Sequence, residues 1–504
     1  MSQFFKFVFA SCLGTLLAGI LLLFIGIGMV SSLASLAGES QAVAIRPNSV
    51  LELDFSTVIP EKTNNVEMSP FDLEQKDVVG LTDMVKTIRK AKSDPDIKGI
   101  YINAPVAQMG KATASVLRQA LTDFKSEGKF VVAYANFYSQ GAYYLVSAAD
   151  SILVNPSGGV DFRGLSSMNA YYKGLLEKMD IDYRIFYVGK FKSATEPYRF
   201  DKMSDENRLQ VREYLNGLYD VFISDIAATR RIEPSELRNI ANEFKGWTAQ
   251  SALAARLVDR VAYEDEALQL MKDKIGLDKD AKLERVDFND YYKARGKNTD
   301  FSVSDKIAVI YAEGTIMDGD NTQPGDVYDE KYMKILRKLR KDDHIRGIVL
   351  RVNSPGGSAM ASDNILREID LCKEAGKPVV VSMGDVAASG GYYIACHADS
   401  IFAQPNTITG SIGVFGMIPI LQRTMKENLG VTYDTVLTGK YSAFGTPFID
   451  FSPEEKQLIQ TRVEKIYEDF LSRVSEGRKK TRDQIHEIAQ GRVWTGARAK
   501  ELGL

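Results

Sequence analysis

The chain repeats itself, and the repeat limits what it can fold into more than any single motif does, because both halves must make the same unit. Asp96-Ile97-Lys98-Gly99-Ile100 recurs as His344-Ile345-Arg346-Gly347-Ile348, each leading into a short apolar run and then an amphipathic stretch. Gly141-Ala142-Tyr143-Tyr144-Leu145, followed by Ala149-Asp150-Ser151-Ile152, returns as Gly390-Gly391-Tyr392-Tyr393-Ile394 followed by Ala398-Asp399-Ser400-Ile401. Gly189-Lys190-Phe191 answers to Gly439-Lys440-Tyr441. Trp247-Thr248 answers to Trp494-Thr495, which together hold the only two tryptophans. Each copy alternates β-branched runs, such as Ile348-Val349-Leu350 and Val379-Val380-Val381, with helix-length amphipathic stretches such as Asp363 to Lys373. That alternation predicts an α/β unit with parallel strands. The expected division is a first copy over 46–272, a charged and weakly periodic linker over 273–305, and a second copy over 306–504. Long helical additions follow each core, at Ser204 to Arg230 and Pro453 to Arg478.

Ahead of the repeat, Phe7 to Met29 is apolar apart from small and hydroxyl residues, long enough to cross a hydrocarbon core of roughly 30 Å. Lys6 is the only charge before Glu39, which predicts a cytoplasmic N-terminus and an exported remainder. Ser35-Leu36-Ala37 is a weak cleavage site for so long a span. Residues 1–45 therefore read as an uncleaved single-pass anchor and stalk.

Composition removes several function classes. The 63 basic and 66 acidic residues nearly cancel and no basic block stands out, so nucleic-acid binding is disfavoured. The three cysteines, Cys12, Cys372 and Cys396, give no disulfide framework. Of the three histidines only His397 adjoins a cysteine, and neighbouring side chains diverge on a helix, so no metal and no cofactor is expected.

Ser389 follows the run Val379 to Met383 and stands at the start of a helix-like stretch, flanked by small residues. A strand-to-helix turn exposes a hydroxyl and offers backbone N–H groups to an anion, as a nucleophile requires. Most serines at helix starts are simply N-caps. What raises Ser389 is the loop Asn353-Ser354-Pro355-Gly356-Gly357 one strand earlier. Loops at the carboxyl ends of neighbouring parallel strands converge, so the N–H groups of Gly356 and Gly390 could hold an oxyanion beside Ser389. His397, some eight residues on, would lie ~12 Å along a helix at ~1.5 Å per residue, too far for direct proton transfer. A lysine can serve as base when burial favours its neutral amine, and Lys192 in Gly189-Lys190-Phe191-Lys192-Ser193-Ala194-Thr195-Glu196-Pro197 is the candidate. A lone lysine is ordinarily a solvated surface residue, and the residues by themselves do not select it.

Ser354-Pro355-Gly356-Gly357, Ala387-Ala388-Ser389-Gly390-Gly391-Tyr392-Tyr393, Thr409-Gly410-Ser411-Ile412-Gly413 and Phe191-Lys192-Ser193-Ala194-Thr195-Glu196-Pro197 closely resemble motifs of the long, duplicated signal peptide peptidase A family. The resemblance covers nearly the whole chain. It implies two tandem Clp/crotonase-like α/β units behind one transmembrane helix, and a Ser/Lys-dyad endopeptidase that degrades cleaved signal peptides. It makes Ser389 the nucleophile, Lys192 the base, Ser411 a hydroxyl orienting the lysine, and Gly356 and Gly390 oxyanion donors. It further implies apolar peptide substrates, a single-pass location in the inner membrane with the catalytic part periplasmic, and a homo-oligomeric ring or dome. Asp385 departs from the small residue many relatives carry there and, being near Ser389, is expected to bear on substrate preference.

The repeat supplies a check independent of the family. Aligned on the Tyr-Tyr pairs, the first copy has Gln140 in place of Ser389 and Ala104-Pro105-Val106 in place of the glycine loop. The second copy has Ser442 in place of Lys192. Each copy keeps what the other lacks, as a duplicated enzyme would if its site formed across the contact between copies. The competing readings are a crotonase-like acyl-CoA enzyme, which an exported location disfavours, and a non-catalytic membrane scaffold.

Overall fold

The computed structural model describes residues 3, 7, 13–25, 44–66, 77–296, 303–321 and 324–504. The first copy opens with four parallel strands, β1 (Ser49–Leu53), β2 (Ile97–Asn103), β3 (Phe130–Ala135) and β4 (Ser151–Val154). β5 (Asp182–Val188) then leaves this sheet, and β6 (Arg260–Val261) and β7 (Arg285–Asp287) complete it in the order β6-β4-β3-β2-β1-β7. Apolar side chains on one face form the main core with the helices Leu81–Ser93 and Lys111–Lys125. On the other face Val50, Tyr101, Val132, Tyr134 and Leu153 are covered by Ala267 and Met271 of the helix Glu264–Ile275. Strands buried on both faces read as unbroken apolar runs.

The second copy repeats the plan with β8 (Lys306–Glu313), a small β9–β10 pair (Thr315–Met317, Asp326–Tyr328), β11 (Ile345–Ser354), β12 (Val379–Ala388), β13 (Ser400–Phe402), β14 (Ile408–Gly410), β15 (Val414–Ile420) and β16 (Val493–Thr495). Its sheet runs β16-β14-β12-β11-β8, with β13 also paired to β12. β12 is shared along its length: Val380–Ser382 pair with β13, and Val386–Ala388 pair with β14. Against β12, β11 slips register between Val352 and Ser354 and ends with Ser354 opposite Ala387. The glycine loop therefore leaves the sheet next to Ser389.

The linker begins later in the chain than the charge pattern predicts. β7 pairs in parallel with β1, and Phe288 and Tyr291 are buried in the first core, so residues 285–292 belong to the first copy. A three-residue strand among charged residues has too little periodicity to be seen in the sequence. Among the described residues no helix is long and apolar enough to cross a membrane. Residues 13–25 are helical and exposed, and most of the remaining expected span lies outside the described residues.

Of the contacts that lock the copies together, three stand out among the described residues. β5 pairs antiparallel with β15 over seven residue pairs, from Val188–Val414 to Asp182–Ile420. Beside this ribbon Arg184 grips Asp450 with two hydrogen bonds of 2.8 Å, and that fork holds the carboxyl down to about 2. Arg351 of β11 meets the buried Glu61 at 2.9 and 3.0 Å. Asp385 is the third: its carboxylate accepts from the Ala112 and Thr113 amides (2.7 and 3.0 Å) and from Thr113 Oγ1 (2.6 Å). It thus caps the helix Lys111–Lys125 of the other copy, whose own N-cap is Gly110. A Cβ on Gly110 would lie 2.0 Å from Asp385 Cγ, so the glycine makes room for the carboxylate. The expectation that Asp385 bears on substrate preference is corrected by this, since its side chain is spent on the helix and does not line the cavity at Ser389. Losing a helix cap costs about 0.5–2 kcal/mol. Asp385→Ala is accordingly expected to destabilise the protein by about 1–2 kcal/mol, read by chemical denaturation, while KM for a peptide substrate stays put.

Candidate active site

Ser389 stands between β12 and the short helix Gly390–Tyr393 with φ 54° and ψ −120°, a conformation a non-glycine residue adopts only when its surroundings enforce it. Its N–H donates to Gly410 O at 2.8 Å and its carbonyl accepts from Tyr393 N at 2.9 Å. Although it occupies the N-cap position, its side chain caps nothing. In the first copy the matching helix, Gln140–Val146, is capped by the Ser139 hydroxyl. Gln140, aligned with Ser389, spends its amide on Gly164 O and on the Arg163 and Gly164 amides.

Lys192 follows β5 in an irregular turn and is buried, 5 % exposed. Its Nζ lies 3.1 Å from Ser389 Oγ, 3.1 Å from Ser411 Oγ and 3.0 Å from Ser411 O. Among the described residues no carboxylate pairs with it. Burial alone pushes its pKa down to about 8, because removing water disfavours the charged amine. The structure thus brings three of the sequence candidates together, one from the first copy and two from the second, and the β5–β15 register makes the meeting possible: Val188 sits opposite Val414, so the turn after β5 faces the residues just before β15.

The glycine loop abuts Ser389. Gly356 has φ +99°, and a Cβ there would lie 2.5 Å from Gly390 N and 2.8 Å from Ser389 Cβ. The Gly356 N–H, however, donates to Ser354 Oγ at 3.1 Å. Among the described residues the amides of Gly357 and Gly390 have no such partner, and Gly357 N approaches within 3.1 Å of where a Cβ on Gly390 would stand. The Gly356 amide is thus already engaged by the Ser354 hydroxyl, and the Gly357 and Gly390 amides are the ones left without a partner among the described residues. Residue type alone does not reveal this difference within a Gly-Gly pair.

These groups line a cavity of about 880 Å³ between the copies. Phe191, Val211 and Tyr214 from the first copy and Val414, Phe415, Val463, Ile466 and Phe470 from the second give it apolar walls. His397 takes no part. Its Nδ1 engages Asp370 and its Nε2 the Arg473 carbonyl, each at 2.8 Å. Ser442, the repeat counterpart of Lys192, is exposed, and its hydroxyl donates to Gly439 O at 3.0 Å. Among the described residues no cluster of three or more His, Cys, Asp or Glu side chains could hold a metal.

Comparison with known proteins identifies the class. Residues 298–409, carrying the glycine loop and Ser389, match the Clp protease family, and residues 123–278 and 372–504 match Peptidase family S49. Protease 4 of Haemophilus influenzae is 36% identical over 84% of this chain and 70% of its own length. Protease 4 of Salmonella typhi is 36% identical over 96% of this chain and 79% of its own length. The chloroplastic serine protease SPPA of Arabidopsis thaliana is 31% identical over 84% of this chain and 63% of its own. The S49 matches in both copies, the Clp protease match in the second and these relatives together define a serine protease. The chain belongs to peptidase family S49, in its signal peptide peptidase A branch.

Because the depressed pKa comes from burial, it can be observed without catalysis. In an NMR titration of the selectively labelled protein the Lys192 amine should lose its proton near pH 8, against about 10.4 for a solvated lysine. A midpoint above pH 10 would mean that water reaches the amine.

Proposed function

We propose that the protein is an endopeptidase that hydrolyses extended apolar peptides, released signal peptides first among them, with Ser389 as nucleophile and Lys192 as general base. The observation that carries this reading is the 3.1 Å separation of Lys192 Nζ from Ser389 Oγ, with an amine held near pH 8 by burial. A neutral amine takes the Ser389 proton as Oγ attacks the peptide carbonyl carbon. The oxyanion forms against the Gly357 and Gly390 amides. Collapse of the adduct passes the lysine proton to the leaving amine and leaves an ester on Ser389. Water, deprotonated by the same lysine, then releases the acid. Ser411 gives Lys192 two oxygens to hold it, so the amine stays aimed while its proton comes and goes. The apolar cavity walls suit apolar side chains.

The run Phe7 to Met29 supports attachment to the inner membrane with the catalytic body outside the cytoplasm, beside the bilayer where such peptides collect. Two unpaired segments support assembly of several copies. Residues 165–171 and 432–438 are the repeat counterparts of β15 and β5, and neither forms a strand in the chain. Met168 and Val436 on them are 96% and 99% exposed. A head-to-tail contact would pair these segments as β15 pairs with β5, and such contacts close into rings.

Covalent labelling tests the chemistry. A fluorophosphonate should label the wild-type protein and His397→Ala, fail on Ser389→Ala, and react with a folded Lys192→Ala roughly a hundredfold more slowly, within the range for loss of a general base. Labelling of Ser389→Ala, or undiminished labelling of Lys192→Ala, would refute the dyad.

A further inference from the structure

The turn that carries Lys192 is irregular, and one side chain fastens both of its flanks. Gln210, on the helix Asp205–Arg230, donates from Nε2 to Phe191 O at 2.9 Å and to Ser193 Oγ at 3.0 Å. Its Oε1 accepts from Val493 N at 3.3 Å. A primary amide only 3% exposed in mid-helix is costly unless its polar atoms are bonded, and here both ends are. Asn207, one turn earlier, also accepts from Nε2 at 3.2 Å and passes the network on to the buried Glu196.

Val493 ends the turn 490–493 of the second copy, and that turn is bonded on two sides. Towards the lysine, Phe191 N donates to Gln490 O at 2.9 Å; towards Ser411, the Ser411 N–H donates to Arg492 O at 2.7 Å and Gly491 N to Ile412 O at 2.8 Å. Gln490 and Gly491 both have positive φ, 55° and 81°, and a Cβ on Gly491 would lie 2.6 Å from Lys192 Cβ. Lys192 and its acceptor Ser411 therefore hang from one turn, and Gln210 ties the lysine side to it.

We infer that Gln210 is a positioning residue for Lys192, clamping the residues on either side of the lysine to the second-copy turn that also fixes Ser411. The inference rests on Lys192 acting as the base. Without the clamp the turn can swing outward and admit water to the amine. Its pKa then rises towards that of a free lysine, and the limb of the pH profile on which activity grows moves to higher pH. The charged groups on the surrounding elements, Arg492 paired with Glu213 and Arg462 on the cavity wall, are left in place by the change. Gln210 also lines the cavity, so contact with substrate is the competing role, and kinetics separates the two.

The experiment uses the full chain in detergent with a fluorogenic leucine-rich peptide. Gln210→Ala should lower kcat about tenfold or more, as small misplacements of catalytic groups do, with KM within about threefold and the pH limb shifted upward by about half a unit or more. Gln210→Met, which keeps the length of the side chain but loses donor and acceptor without adding a charge, should move the limb in the same direction, and it carries the test if the alanine variant does not fold. Arg212→Ala, exposed on the same helix, should change neither. A rise in KM with kcat intact, or a fall in kcat with the limb unmoved, overturns the inference. Lys192→Ala measured alongside keeps the two readings apart. If it stays active the dyad fails; if it is inactive while both Gln210 variants behave as wild type, only the clamp fails.

Discussion

The antiparallel pairing of β5 with β15 is the interaction on which the rest of the structure depends. Two strands alone in water are marginal at best, and this ribbon is held because it is packed: Phe186 is buried, and Val188 and Val414 lie against the second core. The Arg184–Asp450 fork fixes its outer part. Register is what the ribbon transmits. Slipping it by one residue would turn every side chain to the opposite face, and the turn carrying Lys192 would no longer meet Ser411 and Ser389.

The two copies have diverged around that contact in a way that separates folding from chemistry. In the first, Ser139 caps its helix and Gln140 ties down the neighbouring loop, both ordinary stabilising uses of polar side chains. In the second, the same helix start is left uncapped by Ser389, which is held at positive φ, and the Gly357 and Gly390 amides have no partner among the described residues. Lys192 adds a buried amine that has no counter-ion among the described residues. Each of these features costs stability, and they cluster within one cavity. The locking contacts made by Asp385, Glu61 and Arg351 lie outside the cavity wall and offset such costs without obstructing it.

Much of this was legible in the residues. The repeat predicts the two α/β units, and the strand-end loops predict that the glycine loop and Ser389 converge, because those features are local and periodic. Lys192 was not selectable on physics alone, since its burial depends on Gly413 and Gly491, more than two hundred residues away, closing over it. Asp385 reads as a site residue because it is near Ser389 in sequence, but four residues of extended strand span roughly 13 Å, and at that distance its carboxylate meets the Ala112 and Thr113 amides of the other copy instead. That the Gly356 amide is engaged by the Ser354 hydroxyl, unlike that of Gly357, is likewise not legible in the residues. Gln210 gives no sequence signal, being one polar residue among many on a long helix.

The central claim is that lysine and serine meet across the two copies of one chain. Mixing two full-length, separately purified variants, Lys192→Ala and Ser389→Ala, tests it most directly once both are shown to be folded and assembled. With Lys192 Nζ 3.1 Å from Ser389 Oγ inside a single chain, the mixture should stay as inactive on a peptide substrate as either variant alone. Recovery of activity on mixing would mean that the two residues come from different chains, and would contradict the account.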